Sequence, residues 1–256
     1  MRRAVGIARL AIAAIGAVAL VFDFDYVLGF STFSTVNYFS YFTFQSNLLN
    51  VVVLAASGVL LLRHHVVGRF LVSVRAMTIC YVVVSGIVFG LIVSQAGSHN
   101  YRIDVPWPSQ VLHFYLPPLV VADWLIGVGR VRLRWRTVAF VLAFPVVWGV
   151  FTLIRGAEVG WYPYFFLDPA QVSGPLEFAL YSGIALGLFS GLMALLVLVS
   201  RRRPWASSWG RVSRPERDPG TARGSAEPPA GTPDRSASAP RERRPQPSDR
   251  SGSAVR

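Results

Sequence analysis

Six runs of apolar sequence, at about residues 8–29, 40–62, 71–95, 109–128, 137–155 and 177–200, limit what this chain can fold into. A helix of about 20 such residues crosses a hydrocarbon core roughly 30 Å thick. Inside lipid every backbone N–H and C=O must find a partner in the protein, which leaves helices and closed barrels. The runs are continuous, not alternating at period two, and so predict helices. The expected fold class is therefore all-α: a polytopic six-transmembrane-helix bundle. The overall 53% hydrophobic content agrees with this. The opening stretch MRRAVGIARLAIAAIGAVALVF has the basic end and apolar middle of a signal peptide. It continues past Asp23 to Phe30 and further runs follow, so it reads as an uncleaved first helix.

The charged residues between the runs predict orientation. Arg2, Arg3 and Arg9 precede the first run; Arg63, Arg69 and Arg75 flank the second loop. Arg130, Arg132, Arg134 and Arg136 fill the fourth loop, and Arg201, Arg202 and Arg203 follow the last run. The other connections hold Arg102 and Arg155, with Asp23, Asp25, Asp104, Glu158, Asp168 and Glu177 in or beside them. Basic segments mark the cytoplasmic side, so both termini are expected inside, with the protein multi-pass in the cell membrane. The net charge of +12 contains no lysine and is explained by this topology and a basic tail. Nothing in the sequence has a nucleic-acid-binding pattern, and membrane lipids are the expected partners. No oligomeric partner is specified.

Residues 1–203 form the expected six-span domain. From 204 to 256 the chain turns to Pro, Ser, Gly, Ala and charged residues, with ten Arg against six acids. Such a segment buries too little surface to offset chain entropy, so a disordered cytoplasmic tail is expected. Cys80, the single cysteine, lies in an apolar run and is expected to pack as a small apolar residue. No metal or organic cofactor is implied.

The second run opens with YFTFQSNLLN, which holds Thr43, Gln45, Ser46, Asn47 and Asn50. Thr43, Ser46, Asn47 and Asn50 share one helical face, which should turn from lipid into the bundle. By a rise of about 1.5 Å per residue, Thr43 lies roughly one turn below the outer surface. The fourth run, SQVLHFYLPPLVVADWLI, enters from the same side and puts His113 at nearly the same depth. An ionisable residue inside a span is by default a functional candidate. Thr43 and His113 thus form a candidate nucleophile and general base, with Asn47 or Gln45 to assist an oxyanion. Ser46 and Asn50 line the same pocket. No residue stands out as the group that orients the imidazole; Asp23, Asp25 and Asp104 are at the right end. Asp123 lies deeper, where one of Arg130 to Arg136 is its expected partner. Arg155 either binds a lipid head group or snorkels to the interface. His64 and His65 sit beside arginines in a short basic loop and are expected to be solvated, and His99 carries no signal of its own. The outer segment GWYPYFFLDPAQVSGP is either a cap over the outer mouth or a plain interfacial loop.

Three stretches, YFTFQSNLL, LHFYLPPLVVADWL and WYPYFFLDP, in this order and layout resemble the bacterial Pr6Pr family of integral membrane proteins. The resemblance covers about residues 5–203. That family is distantly similar to the eukaryotic androgen-induced and androgen-dependent membrane lipid hydrolases, which use a membrane-embedded threonine and histidine. Thr43 and His113 match those two positions. The QSN after Thr43 and the surroundings of His113 follow the bacterial pattern. The resemblance therefore implies a fatty acyl ester hydrolase with an intramembrane Thr/His dyad. The alternatives are a binding or transport protein for a small or amphiphilic solute, whose polar stripe lines a path, and a scaffold acting through the tail.

Overall fold

The structure is a computed structural model that describes residues 1–31, 34–98 and 104–202. The expected tail, together with His99, Arg102 and Arg203, lies outside the described residues. The chain divides into a unit Met1–Val212 and a unit Ser213–Arg256, and the described residues all belong to the first.

The described residues are helical, with no strand among them. Helix α1 spans Arg2–Leu28, a short α2 spans Thr35–Ser40, α3 spans Phe42–Leu62 and α4 spans Arg69–Ser98. The fourth run is split into α5 (Trp107–Gln110), a wide π turn (Val111–Tyr115) and α6 (Leu116–Ile126). Then come α7 (Arg136–Phe140), α8 (Ala143–Val159), a 3-10 turn (Phe165–Leu167) and α9 (Pro175–Arg201). Five helical stretches are long and apolar enough to cross a membrane: α1, α3, α4, α7 with α8, and α9. This is the make-up of a multi-pass membrane protein. The fourth run is not among the five, because its helix is interrupted. Pro117 and Pro118 have no N–H to give the carbonyls of His113 and Phe114 one turn back, which favours a widened turn there. The second run also starts later than expected. Tyr41 is extended (φ −63°, ψ 134°) and separates α2 from α3.

Burial is inverted relative to a water-soluble domain. Ser46, Asn47, Asn50, Ser57 and Thr78 are fully buried, whereas Val147, Leu180 and Phe151 on the outer surface are 68%, 59% and 52% exposed. Apolar surface facing out has no cost in lipid, and polar groups there would have no partner. Helix α1 runs against α3, and their backbones approach closely where Gly6 meets Gly58. A Cβ on either would come within 3.1 or 3.0 Å of the other's carbonyl oxygen. Small residues at such a crossing allow the close packing that holds helices together in lipid. Helix α4 lies at the centre, touching α3, the π turn, α6 and α9. Cys80 is buried on it against Met193 of α9, with sulfur atoms 3.7 Å apart.

Two expectations about charge are corrected. Arg9 and Arg75 are not loop residues at the membrane surface but are 0% exposed inside α1 and α4. Asp123 on α6 pairs with them and not with Arg130 to Arg136. Arg9 Nε donates to Asp123 Oδ1 at 2.8 Å and Oδ2 at 3.0 Å, and Arg9 Nη2 donates to the Val128 carbonyl. Arg75 Nη1 is 3.7 Å from Asp123 Oδ2, with its guanidinium 5.0 Å from the centre of the Trp124 ring. The reason is geometric: a loop arginine can reach water, so the carboxylate is left to the two cations that cannot. Arg130 instead donates to the Trp124 carbonyl at 2.8 Å. His64 and His65 are exposed, and Arg3 donates to the His64 ring at 3.4 Å.

Candidate active site

Thr43 lies in the first turn of α3 because Tyr41 breaks the backbone just before it. His113 sits in the π turn and is 7% exposed. The two side chains meet: Thr43 Oγ1 is 3.3 Å from His113 Nε2. On the other side of the ring, Nδ1 is 2.8 Å from the Ser109 carbonyl oxygen. A carbonyl only accepts, so Nδ1 carries the hydrogen and Nε2 presents its lone pair to Thr43. Phe89 of α4 stacks on the imidazole, with centroids 3.8 Å apart and planes 16° from parallel. The ring is thus fixed in position, orientation and tautomer.

The orienting group is a main-chain carbonyl and none of the three aspartates. Asp23 takes a hydrogen bond from Tyr38 at 3.0 Å and Asp104 takes one from Tyr26 at 3.2 Å. Position 109 is four residues before 113, on the same helical face, so this partner could have been read from the spacing. Close approach of α4 also matters. A Cβ at Gly86 would lie 2.4 Å from the His113 carbonyl oxygen, so only glycine lets α4 reach the π turn.

Two further hydroxyls complete the surroundings of Thr43. Ser85 Oγ of α4 is 2.8 Å from Thr43 Oγ1. With Nε2 as the acceptor for the threonine hydroxyl, Ser85 is the donor in this pair. The Tyr164 phenol, from the aromatic segment after α8, lies beside Thr43, and burial pushes its pKa up to about 12. Sequence reasoning assigned neither residue to the reaction. Ser85 had as its signal the Ser-Gly pair in an apolar run; Tyr164 had only its place in an aromatic segment. That segment folds over the N-terminal end of α3: Tyr41 packs edge-on against Trp161 and Tyr164. It is a cap, not a plain loop.

The other expected site residues are arranged differently. Ser46 Oγ and Asn47 Nδ2 both donate to the Thr43 carbonyl, at 3.1 and 2.9 Å. They brace the turn that carries the hydroxyl, and the amide of Asn47 is not aimed at the reacting side. Gln45 turns away, its Nε2 donating to the Phe39 carbonyl at 3.0 Å. Neither amide is turned to the Thr43 hydroxyl as the expected oxyanion role would need, because a helical amide reaches nearby backbone more readily than a point across the bundle. Asn50 is about two turns beyond Thr43 and accepts from Thr78 at 3.3 Å, joining α3 to α4. Arg155 is held by protein: its Nη2 donates to Asn37 Oδ1 at 2.6 Å and its guanidinium lies 5.4 Å from the centre of the Trp161 ring.

No family model, curated protein or solved structure matches this chain.

A cavity of about 230 Å³ opens beside these groups, between α3, α4, α8, α9 and the cap. Its wall is almost entirely apolar, with Phe42, Trp148, Phe166 and Phe189 prominent. Ser85 and Tyr164 also line it, and both touch Thr43. Ser85 therefore stands between the Thr43 hydroxyl and a space lined by hydrocarbon. Among the described residues no group of three or more His, Cys, Asp or Glu converges to hold a metal.

Proposed function

We propose that this protein is an integral membrane hydrolase of fatty acyl esters, with Thr43 as nucleophile and His113 as general base and then acid. The observation that carries the reading is the 3.3 Å approach of Thr43 Oγ1 to an imidazole nitrogen whose lone pair is fixed toward it. The adjoining apolar cavity supports an acyl substrate, entering sideways from the outer leaflet. Membership of the Pr6Pr family, a sixth span formed by the fourth run, inward termini and residence in the cell membrane belong to the same proposal.

The chemistry follows from the hydrogen bonds. As Thr43 Oγ1 attacks the ester carbonyl carbon, its proton passes to His113 Nε2. Base catalysis of this kind contributes typically 10²–10⁴-fold. The carbonyl π electrons move onto oxygen, and the hydroxyls of Ser85 and Tyr164 donate to that oxyanion. The imidazolium is stabilised through Nδ1–H to the Ser109 carbonyl and by the Phe89 face. It returns the proton to the leaving alkoxide as the C–O bond breaks. Water then attacks the acyl-threonine as His113 takes its proton, the bond from the acyl carbon to Oγ1 breaks, and His113 returns the proton to Thr43 Oγ1 as the fatty acid leaves.

A fluorophosphonate probe applied to the purified protein tests this directly. Labelling should occur in the wild type and vanish in Thr43→Ala and His113→Ala, with the adduct mapped to Thr43. An adduct on Ser85, or labelling that survives both substitutions, would end the assignment. A second reading has one observation in its favour. Buried polar side chains continue from Thr43 through Asn47, Asn50 and Thr78 to Arg75, Asp123 and Arg9, forming a column through the bundle. A solute path would use that column, and solute flux in proteoliposomes that depends on Asn50 would favour it.

A further inference from the structure

The basic end of the bundle holds a second cleft, of about 570 Å³, far from Thr43 in the sequence and built from other residues. The start of α4, the 131–134 loop and α7 form its walls. Four arginines line it: Arg69, Arg132, Arg134 and Arg136. All four are exposed, and among the described residues the ion pairs are those of Asp123 with Arg9 and Arg75. No carboxylate therefore neutralises this cluster within the described structure. Arg69 Nη2 donates to the Arg132 carbonyl at 3.2 Å, which ties α4 to the loop and holds two of the cations together.

The floor is of opposite character. Val74, Met77, Val131, Leu133 and Phe140 make it apolar. Phe140 is 61% exposed and Phe70, also in the lining, is 83% exposed. A soluble anion would gain nothing from two bare phenyl rings beside four guanidinium groups. A lipid head group with its acyl chains satisfies both halves. Arginine suits a phosphodiester because its planar fork can give two parallel hydrogen bonds to the phosphate oxygens. A zwitterionic head group would bring its own cation into a site already carrying four.

We infer that this cleft binds one anionic glycerophospholipid, with the phosphodiester among Arg69, Arg132, Arg134 and Arg136 and the acyl chains against Phe70, Met77 and Phe140. The site is independent of the ester chemistry at Thr43. On the proposed orientation it faces the cytoplasmic leaflet, where anionic lipid and basic residues attract.

The test is native mass spectrometry of the full chain released from mixed micelles of phosphatidylglycerol and phosphatidylcholine. Wild type should retain phosphatidylglycerol preferentially, at one per chain. Replacing Arg132, Arg134 and Arg136 by Gln should weaken that preference by about fivefold for each arginine removed. Lysine at the same three positions should keep most of it, which also shows that the fold tolerates changes there. A control with Arg2, Arg3 and Arg63 changed to Gln, on the same basic end, should lose much less. Equal retention of the two lipids by wild type would overturn the inference, as would equal losses in the two Gln triples, which would mean diffuse surface charge. Displacement of the lipid by millimolar glycerol phosphate would also overturn it, by showing that the apolar floor contributes nothing.

Discussion

Substitutions at the Arg9–Arg75–Asp123 cluster should change stability in opposite directions, and the structure says by how much. One buried carboxylate faces two fully buried guanidinium groups, so the cluster carries a net charge of about +1 in a low-dielectric setting. Asp123→Asn keeps the shape and removes the only anion. Breaking a buried pair in this way leaves uncompensated charge and costs about 3–5 kcal/mol. Arg75→Met removes the opposite sign. Among the described residues Arg75 Nε, Nη1 and Nη2 have no hydrogen-bond partner, and a methionine can keep the packing on Trp124. Eliminating a desolvated, unbonded cation should add about 1–3 kcal/mol, while the Arg9–Asp123 pair stays in place. In the double variant only one buried cation, not two, is left unpaired, so Arg75→Met should recover part of the Asp123→Asn loss, with a coupling of at least about 1 kcal/mol. The assay is reversible unfolding of the purified protein by SDS in mixed micelles. If Arg75→Met cost as much stability as Asp123→Asn, the charge excess assigned to this cluster would be wrong.

Gly86→Ala would put a methyl group 2.4 Å from the His113 carbonyl oxygen, so the π turn must move. Overpacking of this kind costs about 1–3 kcal/mol, and fluorophosphonate labelling at Thr43 should fall more than labelling of a surface-accessible control. Tyr164 has its pKa raised from 10.0 to about 12 by burial, so the folded state holds the phenol proton more tightly than the unfolded state. Stability should therefore decline as pH rises from about 10 to 12, and Tyr164→Phe should flatten that decline in a pH series of melting curves. The same variant should lower the acylation rate constant by one to three orders of magnitude if the phenol serves the oxyanion, measured by stopped-flow with an activated ester. Thr78→Val removes the hydrogen bond to Asn50 between α3 and α4. Its cost should be close to the roughly 0.6 kcal/mol typical inside membranes, read by the same SDS titration.

Much of this protein was written in local sequence. The apolar runs dictate helices because a chain in lipid has no other partner for its backbone, and the period of Thr43, Ser46, Asn47 and Asn50 dictates which face turns inward. Equal depth on two runs made a meeting of Thr43 and His113 geometrically allowed. Tertiary structure decided the rest, because it depends on which helices are neighbours and how closely they approach. Only the packing of α4 against the π turn, through Gly86, brings Ser85 and Phe89 to the dyad. Only the folding of the aromatic cap delivers Tyr164. The arginines nearest Asp123 in the chain are Arg130 to Arg136, yet a buried charge takes the partners that share its burial, and those are Arg9 and Arg75. Periodicity along a helix reports which side is polar; what stands opposite that side is fixed by contacts between residues as far as 119 positions apart.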